Sequence, residues 1–101
     1  MSADTKVVLD EKIKVSTKKP KKYKVIFLND DTTPMEFVIS VLMEIFKHSE
    51  DTSKNITMEI HTEGAGVVGV YNHEIAEQKA VETTTIARNH GFQLEVRLEE
   101  E

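Results

Sequence analysis

The chain has no cysteine, so it can form no disulfide framework and no thiolate metal site. It has no apolar run long enough to span a bilayer, and no signal-peptide core follows its lysine-dotted start. A soluble cytoplasmic protein is the expectation. A serine nucleophile elbow and a glycine-rich phosphate loop are both missing. The one Gly-x-Gly-x-x-Gly spacing, Gly64-Ala65-Gly66-Val67-Val68-Gly69, falls at a helix-to-strand turn. A dinucleotide fingerprint must sit between a strand and a helix, so these glycines read as a turn with close backbone packing. The four histidines, His48, His61, His73 and His90, show no His-Glu-x-x-His or similar spacing, which argues against zinc. No metal and no cofactor is expected.

What is present is 101 residues, one small domain with a single modest core. Its charge is unevenly divided. Residues 1–22 carry seven lysines against Asp4, Asp10 and Glu11, a net of +4, and the remainder carries −9 of a total of −5. An acidic body argues against nucleic-acid binding, which needs a basic footprint. Residues 1–21 read as a flexible basic N-terminal extension ending in a lysine cluster, and residues 22–101 as the folded core. A monomer is expected.

Tyr23 to Leu28, β-branched and aromatic, reads as a strand. A helix follows from Pro34 to about Lys47, with apolar residues almost all round it, so it must be buried on several sides or line a pocket. A second helix runs from about Glu50 to His61, closed by Thr62-Glu63-Gly64, with Thr57 and His61 four apart on one face. Ala65 to Tyr71 is a strand. Asn72 caps a third helix from His73 to about His90, with Gly91 at its C′ position and Thr83-Thr84-Thr85 as a weak spot. Phe92 to Leu98 alternates apolar and polar residues as a half-buried strand. The expected fold is α+β in the order βααβαβ, a three-stranded antiparallel sheet covered on one face by helices.

The most informative stretch is Asn29-Asp30-Asp31-Thr32-Thr33-Pro34-Met35-Glu36-Phe37, between the first strand and the first helix. Thr33 is a good N-cap, Pro34 suits the first helical position, and Glu36 is placed to close a capping box with Thr33. Asn29, Asp30 and Asp31 then occupy a short forced turn. Acceptor oxygens beside an apolar helix suit a cation with an apolar neighbour, an amino group above all. Plain turn chemistry explains the same residues on their own. Asp30 and Asp31 point opposite ways on an extended segment, which argues against a catalytic carboxylate pair.

Taken together, the segments resemble the ClpS adaptor family, which delivers N-degron substrates to the Clp AAA+ unfoldase. The string Asn29 to Phe37 is long and specific. Tyr23 to Ile26, Ile60-His61, Gly69 to Tyr71, Glu74-x-Ala76-Glu77-x-Lys79 and the last strand extend the match without gaps from about residue 22 to the C-terminus. The resemblance implies a non-enzymatic adaptor that recognises N-terminal Leu, Phe, Tyr or Trp and hands the bearer to a Clp unfoldase–protease. It implies that Asn29, Asp31 and His61 hold the substrate's α-ammonium, with Asp30 and Thr33 lining the mouth or ordering the loop. Met35, Val38, Leu42, Thr57, Ile60 and Leu94 would form the apolar pocket. Glu74, Glu77 and Lys79 would dock the N-terminal domain of a ClpA-like unfoldase, and residues 1–21 would serve as a handle for delivery.

The chain departs from the family at Thr57, where familiar members carry a methionine. A roomier wall there, with room for an ordered water, implies a changed ranking among Leu, Phe, Tyr and Trp. Met35 matches the family's gate against β-branched Ile and Val. Two other readings stay open. One is an interaction module without amine recognition, since the element order also looks like the C-terminal domain of the ribosomal stalk protein. The other is a small hydrolase or metal protein using Asp30, Asp31 and His61.

Overall fold

The computed structural model describes residues 20–101, so the expected leader lies, but for Pro20 and Lys21, outside the described residues. β1 (Lys22–Leu28) is the central strand. It pairs antiparallel with β2 (Ala65–Asn72) on one side and β3 (Glu95–Glu100) on the other. Period-2 alternation sends Val25 and Phe27 into the core, where both are fully buried. Lys24 and Ile26 face the other way, beside Glu99 and Arg97 of β3. Three helices complete the expected βααβαβ order: α1 (Met35–Glu44), α2 (Glu50–Glu63) and α3 (His73–Asn89).

The nearly all-apolar α1 is buried on several sides, as its composition requires. Val38, Val41 and Leu42 are buried within it, and Ile45 and Phe46 follow into the core just past its end. Phe46 meets Phe27 edge to face, ring centroids 5.6 Å apart. Burying each such side chain contributes about 1.5–3 kcal/mol, which secures α1 and the turn after it in the core.

Local chemistry sets the ends of these elements. Ser49 caps α2, its hydroxyl accepting the Thr52 N–H at 3.2 Å. Gly64, at φ +89°, closes that helix in the left-handed region. Asn72 caps α3 by accepting from the Ile75 N–H at 3.0 Å, and Gly91 at φ +79° follows its C-cap His90. α3 runs unbroken through the three threonines, because Thr83 is fully buried there and tertiary packing outweighs its weak propensity.

Three expectations are corrected. The first helix stops at Glu44, not Lys47, and the chain turns through Lys47 at φ +62°. The capping box between Thr33 and Glu36 is not made: Pro34 is the N-cap and no side chain caps the helix. Thr33 donates to Asp30 instead. The last strand begins at Glu95, not Phe92, because residues 92–94 are held by side chains rather than by a ladder.

His48, just past the end of α1, has a structural role. It is half-buried, and its Nε2–H donates to the Val68 carbonyl at 2.6 Å. β2 carries a register shift there, opposite Val25 and Ile26, which leaves Val68 as the extra residue of a bulge. His48 supplies the partner that the ladder cannot give this carbonyl. Lys79 is also more enclosed than a surface lysine. Its ammonium donates to the Ile45 carbonyl at 2.7 Å and lies over the rings of Phe46 and Tyr71 at 5.7 and 5.3 Å. It thereby ties α3 to the end of α1, where carbonyls lack partners and a cation is favoured. No helix among the described residues is long and apolar enough to cross a membrane.

Candidate functional site

The exit of β1 and the end of α2 are joined by one backbone bond, from the Asn29 N–H to the Gly64 carbonyl at 2.9 Å. That bond brings Asn29 to the same end of the molecule as His61, three residues before Gly64 on α2. The turn that follows is organised by Asp30. Its Oδ2 accepts the Thr32 N–H at 3.0 Å, the Thr33 hydroxyl at 3.0 Å and the Thr32 hydroxyl. Chiefly through the Thr32 hydroxyl, these bonds hold the Asp30 carboxyl below its ordinary range, against a smaller opposing effect of desolvation. So Asp30 is a charged organiser of the loop, and the turn chemistry and the binding chemistry reside in the same residues.

The loop is also anchored to the far end of the chain. The Thr32 hydroxyl accepts the Gln93 N–H at 2.9 Å. Arg88 donates from Nη1 to the carbonyls of Phe92 and Leu94 at 2.8 and 2.9 Å. Phe92 packs edge to face on Phe37 of α1, centroids 5.0 Å apart. These contacts fix the irregular segment that carries Leu94, which is almost fully buried.

Between these elements lies a cavity of about 20 Å³, lined by Leu28, Asn29, Asp30, Thr33, Met35, Val38, Thr57, Ile60, His61 and Leu94. It has polar groups at one end and apolar walls beyond. Nine of the eleven residues expected from the sequence for the amine site and pocket therefore meet here. Two do not line it. Asp31 is exposed, one residue further along the turn, and Leu42 is buried in the core. Leu28 was missed; its place as the last strand residue before Asn29 is the signal that could have found it. Arg88 and Thr32 were also missed, since only the folded chain brings them to segment 92–94.

Thr57 is buried, and its hydroxyl donates to the Ser53 carbonyl at 2.7 Å. The hydroxyl proton is thus used within α2 itself, and no ordered water is needed to satisfy it. A space of about 20 Å³ holds little more than one water. A bulky side chain enters only if the walls yield, and Met35, half-buried and unbranched, is the wall residue with most freedom to do so. The arrangement suits a cation joined to an apolar group. Among the described residues, no set of three His, Asp or Glu side chains is placed to hold a metal.

On α3, Glu74 and Glu77 are exposed and border a shallow groove with Gln78, Val81 and Glu82. Val81 is an exposed apolar residue in that acidic stripe. Lys79, expected beside the two acids, is instead turned onto the end of α1.

The family model described as "ATP-dependent Clp protease adaptor protein ClpS" matches residues 18–97. An ATP-dependent Clp protease adapter protein ClpS from Rhodospirillum centenum is 43% identical over 90 residues, 89% of this chain and 83% of that protein. One from Burkholderia cenocepacia is 47% identical over 83 residues, 82% of this chain and 80% of that protein. Among solved structures, Agrobacterium tumefaciens ClpS2 bound to L-phenylalaninamide superposes with a TM-score of 0.79 at 47% identity. The match covers 82% of this chain and all of that one.

Proposed function

The chain belongs to the ClpS family of ATP-dependent Clp protease adaptors, and from that membership we propose that it reads the N-terminal residue of proteins marked for degradation. In this reading it binds an N-terminal Leu, Phe, Tyr or Trp and delivers the bearer, without chemistry of its own, to the N-terminal domain of a ClpA-like unfoldase. It acts in the cytoplasm as a monomer. Residues 22–101 are the working domain and residues 1–21 a handle for delivery.

The observation that carries the reading is a single cavity with Asn29, Asp30 and His61 at its polar end and Met35, Val38, Thr57, Ile60 and Leu94 along its walls. An N-terminal residue offers a matching pair of groups, an ammonium and an apolar side chain. L-phenylalaninamide, the ligand of the similar Agrobacterium protein, carries that same pair. Asn29, Asp31 and His61 hold the ammonium, and Asp30 with Thr33 keeps the loop in shape. Leu42 supports the pocket from the core behind Val38. Hydrogen bonds to a charged amine contribute roughly 1.5–3 kcal/mol each, and burying a Leu or Phe side chain adds about 1.5–3 kcal/mol. After association costs of at least about 4 kcal/mol, micromolar affinity is expected, on the order of −8 kcal/mol.

Thr57 and Met35 set the choice among side chains. Thr57 alters the ranking of Leu, Phe, Tyr and Trp, and Met35 excludes β-branched Ile and Val. Glu74, Glu77 and Lys79 dock the unfoldase, with Lys79 acting partly by holding α3 against α1.

The test is fluorescence anisotropy with a short labelled peptide beginning with Phe, beside the same peptide N-acetylated. Micromolar or tighter binding that acetylation abolishes supports the reading. No binding by any free N-terminus would leave a ClpS fold that has lost its amine site.

A further inference from the structure

Residues 53, 57, 60 and 61 fall on one stripe of α2, at i, i+4, i+7 and i+8. His61 stands at the polar end of the cavity, and Thr57 and Ile60 form its wall. Ser53 lies one turn beyond Thr57, about 6 Å further along the helix at 1.5 Å per residue. It is fully buried, yet its hydroxyl has no hydrogen-bond partner among the described residues.

A buried hydroxyl left unpaired is costly, and helical serines normally avoid the cost by bonding back to the preceding turn. Ser53 does not. Its N–H donates to the Ser49 carbonyl at 2.9 Å, and its own carbonyl accepts the Thr57 hydroxyl at 2.7 Å. Its Oγ alone is spare. We infer that Ser53, reached past Thr57, is the polar floor of the pocket and hydrogen-bonds the phenol of an N-terminal tyrosine. The inference rests on the proposed reading of N-terminal residues and names the one among them that the site favours.

Chemistry singles out tyrosine. A ligand whose amine sits beside Asn29 and His61 sends its side chain along the stripe, away from the mouth and toward Ser53. Tyrosine carries its hydroxyl at the far tip, opposite the amine. Leucine and phenylalanine end in carbon, and the indole N–H of tryptophan sits at the side of its ring. In a wholly apolar pocket, burying the phenol would disfavour tyrosine against phenylalanine. With Ser53 as partner the order reverses, because tyrosine supplies the bond that the buried serine hydroxyl lacks in the free protein and phenylalanine does not.

Thr83 supplies the control. Its hydroxyl is likewise buried without a partner among the described residues. Neither Thr83 nor Ser53 lines the cavity as it stands, but Ser53 lies one turn beyond Thr57 on the helix that forms the wall, whereas Thr83 lies on α3. The experiment measures anisotropy with the full chain and two peptides that differ only in beginning with Tyr or Phe, each also N-acetylated. The wild-type protein, Ser53→Ala and Thr83→Ala are compared. The wild type is expected to bind the Tyr peptide about 3- to 10-fold more tightly than the Phe peptide. Ser53→Ala brings that ratio to about one or below while Phe binding is kept, and Thr83→Ala leaves the ratio as it was.

A wild type without a Tyr advantage, a ratio that survives Ser53→Ala, or a ratio lost equally in Thr83→Ala would each overturn the inference. Acetylation-sensitive Phe binding in those cases would leave the adaptor reading standing. Failure of every free N-terminus to bind overturns both.

Discussion

Gly66 is buried at the start of β2, and a Cβ added there would stand 2.9 Å from Cγ1 of Ile60. Real Cβ atoms essentially never come so close, so something must shift. Ile60 is itself almost fully buried and forms a wall of the cavity. Gly66→Ala therefore drives a branched side chain against a space of only about 20 Å³. Overpacking of this kind costs about 1–3 kcal/mol. In a domain of this size each kcal/mol lowers Tm by about 4–8 °C. The same push narrows the pocket, and a loss of about 1.4 kcal/mol in binding would weaken peptide affinity about tenfold.

Gly64, two residues earlier, gives the contrast. An added Cβ meets nothing within 4 Å, but φ is +89°, so Gly64→Ala strains the backbone alone. Its cost is about 1 kcal/mol with no push on Ile60. Thermal denaturation and peptide anisotropy on both variants separate the effects. Gly66→Ala should lose stability and affinity, and Gly64→Ala stability only. Full affinity in Gly66→Ala would refute the placing of Ile60 as a wall that the ligand must share.

Arg88→Ala removes two hydrogen bonds to the carbonyls of Phe92 and Leu94. Since Arg88 is exposed, a cost of about 1–2 kcal/mol is expected, with weaker Phe-peptide binding in anisotropy; unchanged affinity would show that the Leu94 segment holds without it. Lys79→Ala should lower Tm by removing the tie to Ile45 and the contacts with Phe46 and Tyr71, worth about 1–2 kcal/mol together. An unchanged Tm would make Lys79 a docking residue only. Met35→Ala should admit peptides beginning with Ile or Val, read as a gain of anisotropy absent in the wild type. For Asp30 the folded pKa lies below its ordinary value of 3.8, so its contribution to loop order is complete above that value and fades as pH falls through the lowered one. An NMR acid titration should show the Thr32 and Gln93 amides changing below the ordinary carboxylate range; a midpoint at 3.8 would mean the hydroxyl bonds do not persist in solution.

Much of the fold was legible because it follows from periodicity and punctuation. Val25 and Phe27 alternate with polar neighbours, Asn72 and Gly91 mark the ends of α3, and the crowded apolar residues of α1 demand burial on several sides. The specific string from Asn29 to Phe37 pointed to the family and to most of the cavity-lining residues. Element ends were less legible. Thr33 looked like an N-cap by local rules, but the Asp30 carboxylate offered its hydroxyl a charged acceptor, and Pro34 became the cap.

The sequence by itself determined the element order, the acidic body, the absence of thiol chemistry and the pairing of a polar turn with an apolar helix, since each depends only on neighbours along the chain. Tertiary structure alone decided which of those residues share a cavity. Leu28 and Leu94 meet there because the Asn29–Gly64 and Thr32–Gln93 bonds join segments far apart in sequence, while Arg88 fixes the turn that carries Leu94. It also decided that Lys79 grips the end of α1, that His48 serves a bulge, and that the Ser53 hydroxyl is buried with a bond to give. Such facts turn on distance through space, and neither propensity nor spacing along the chain carries that distance.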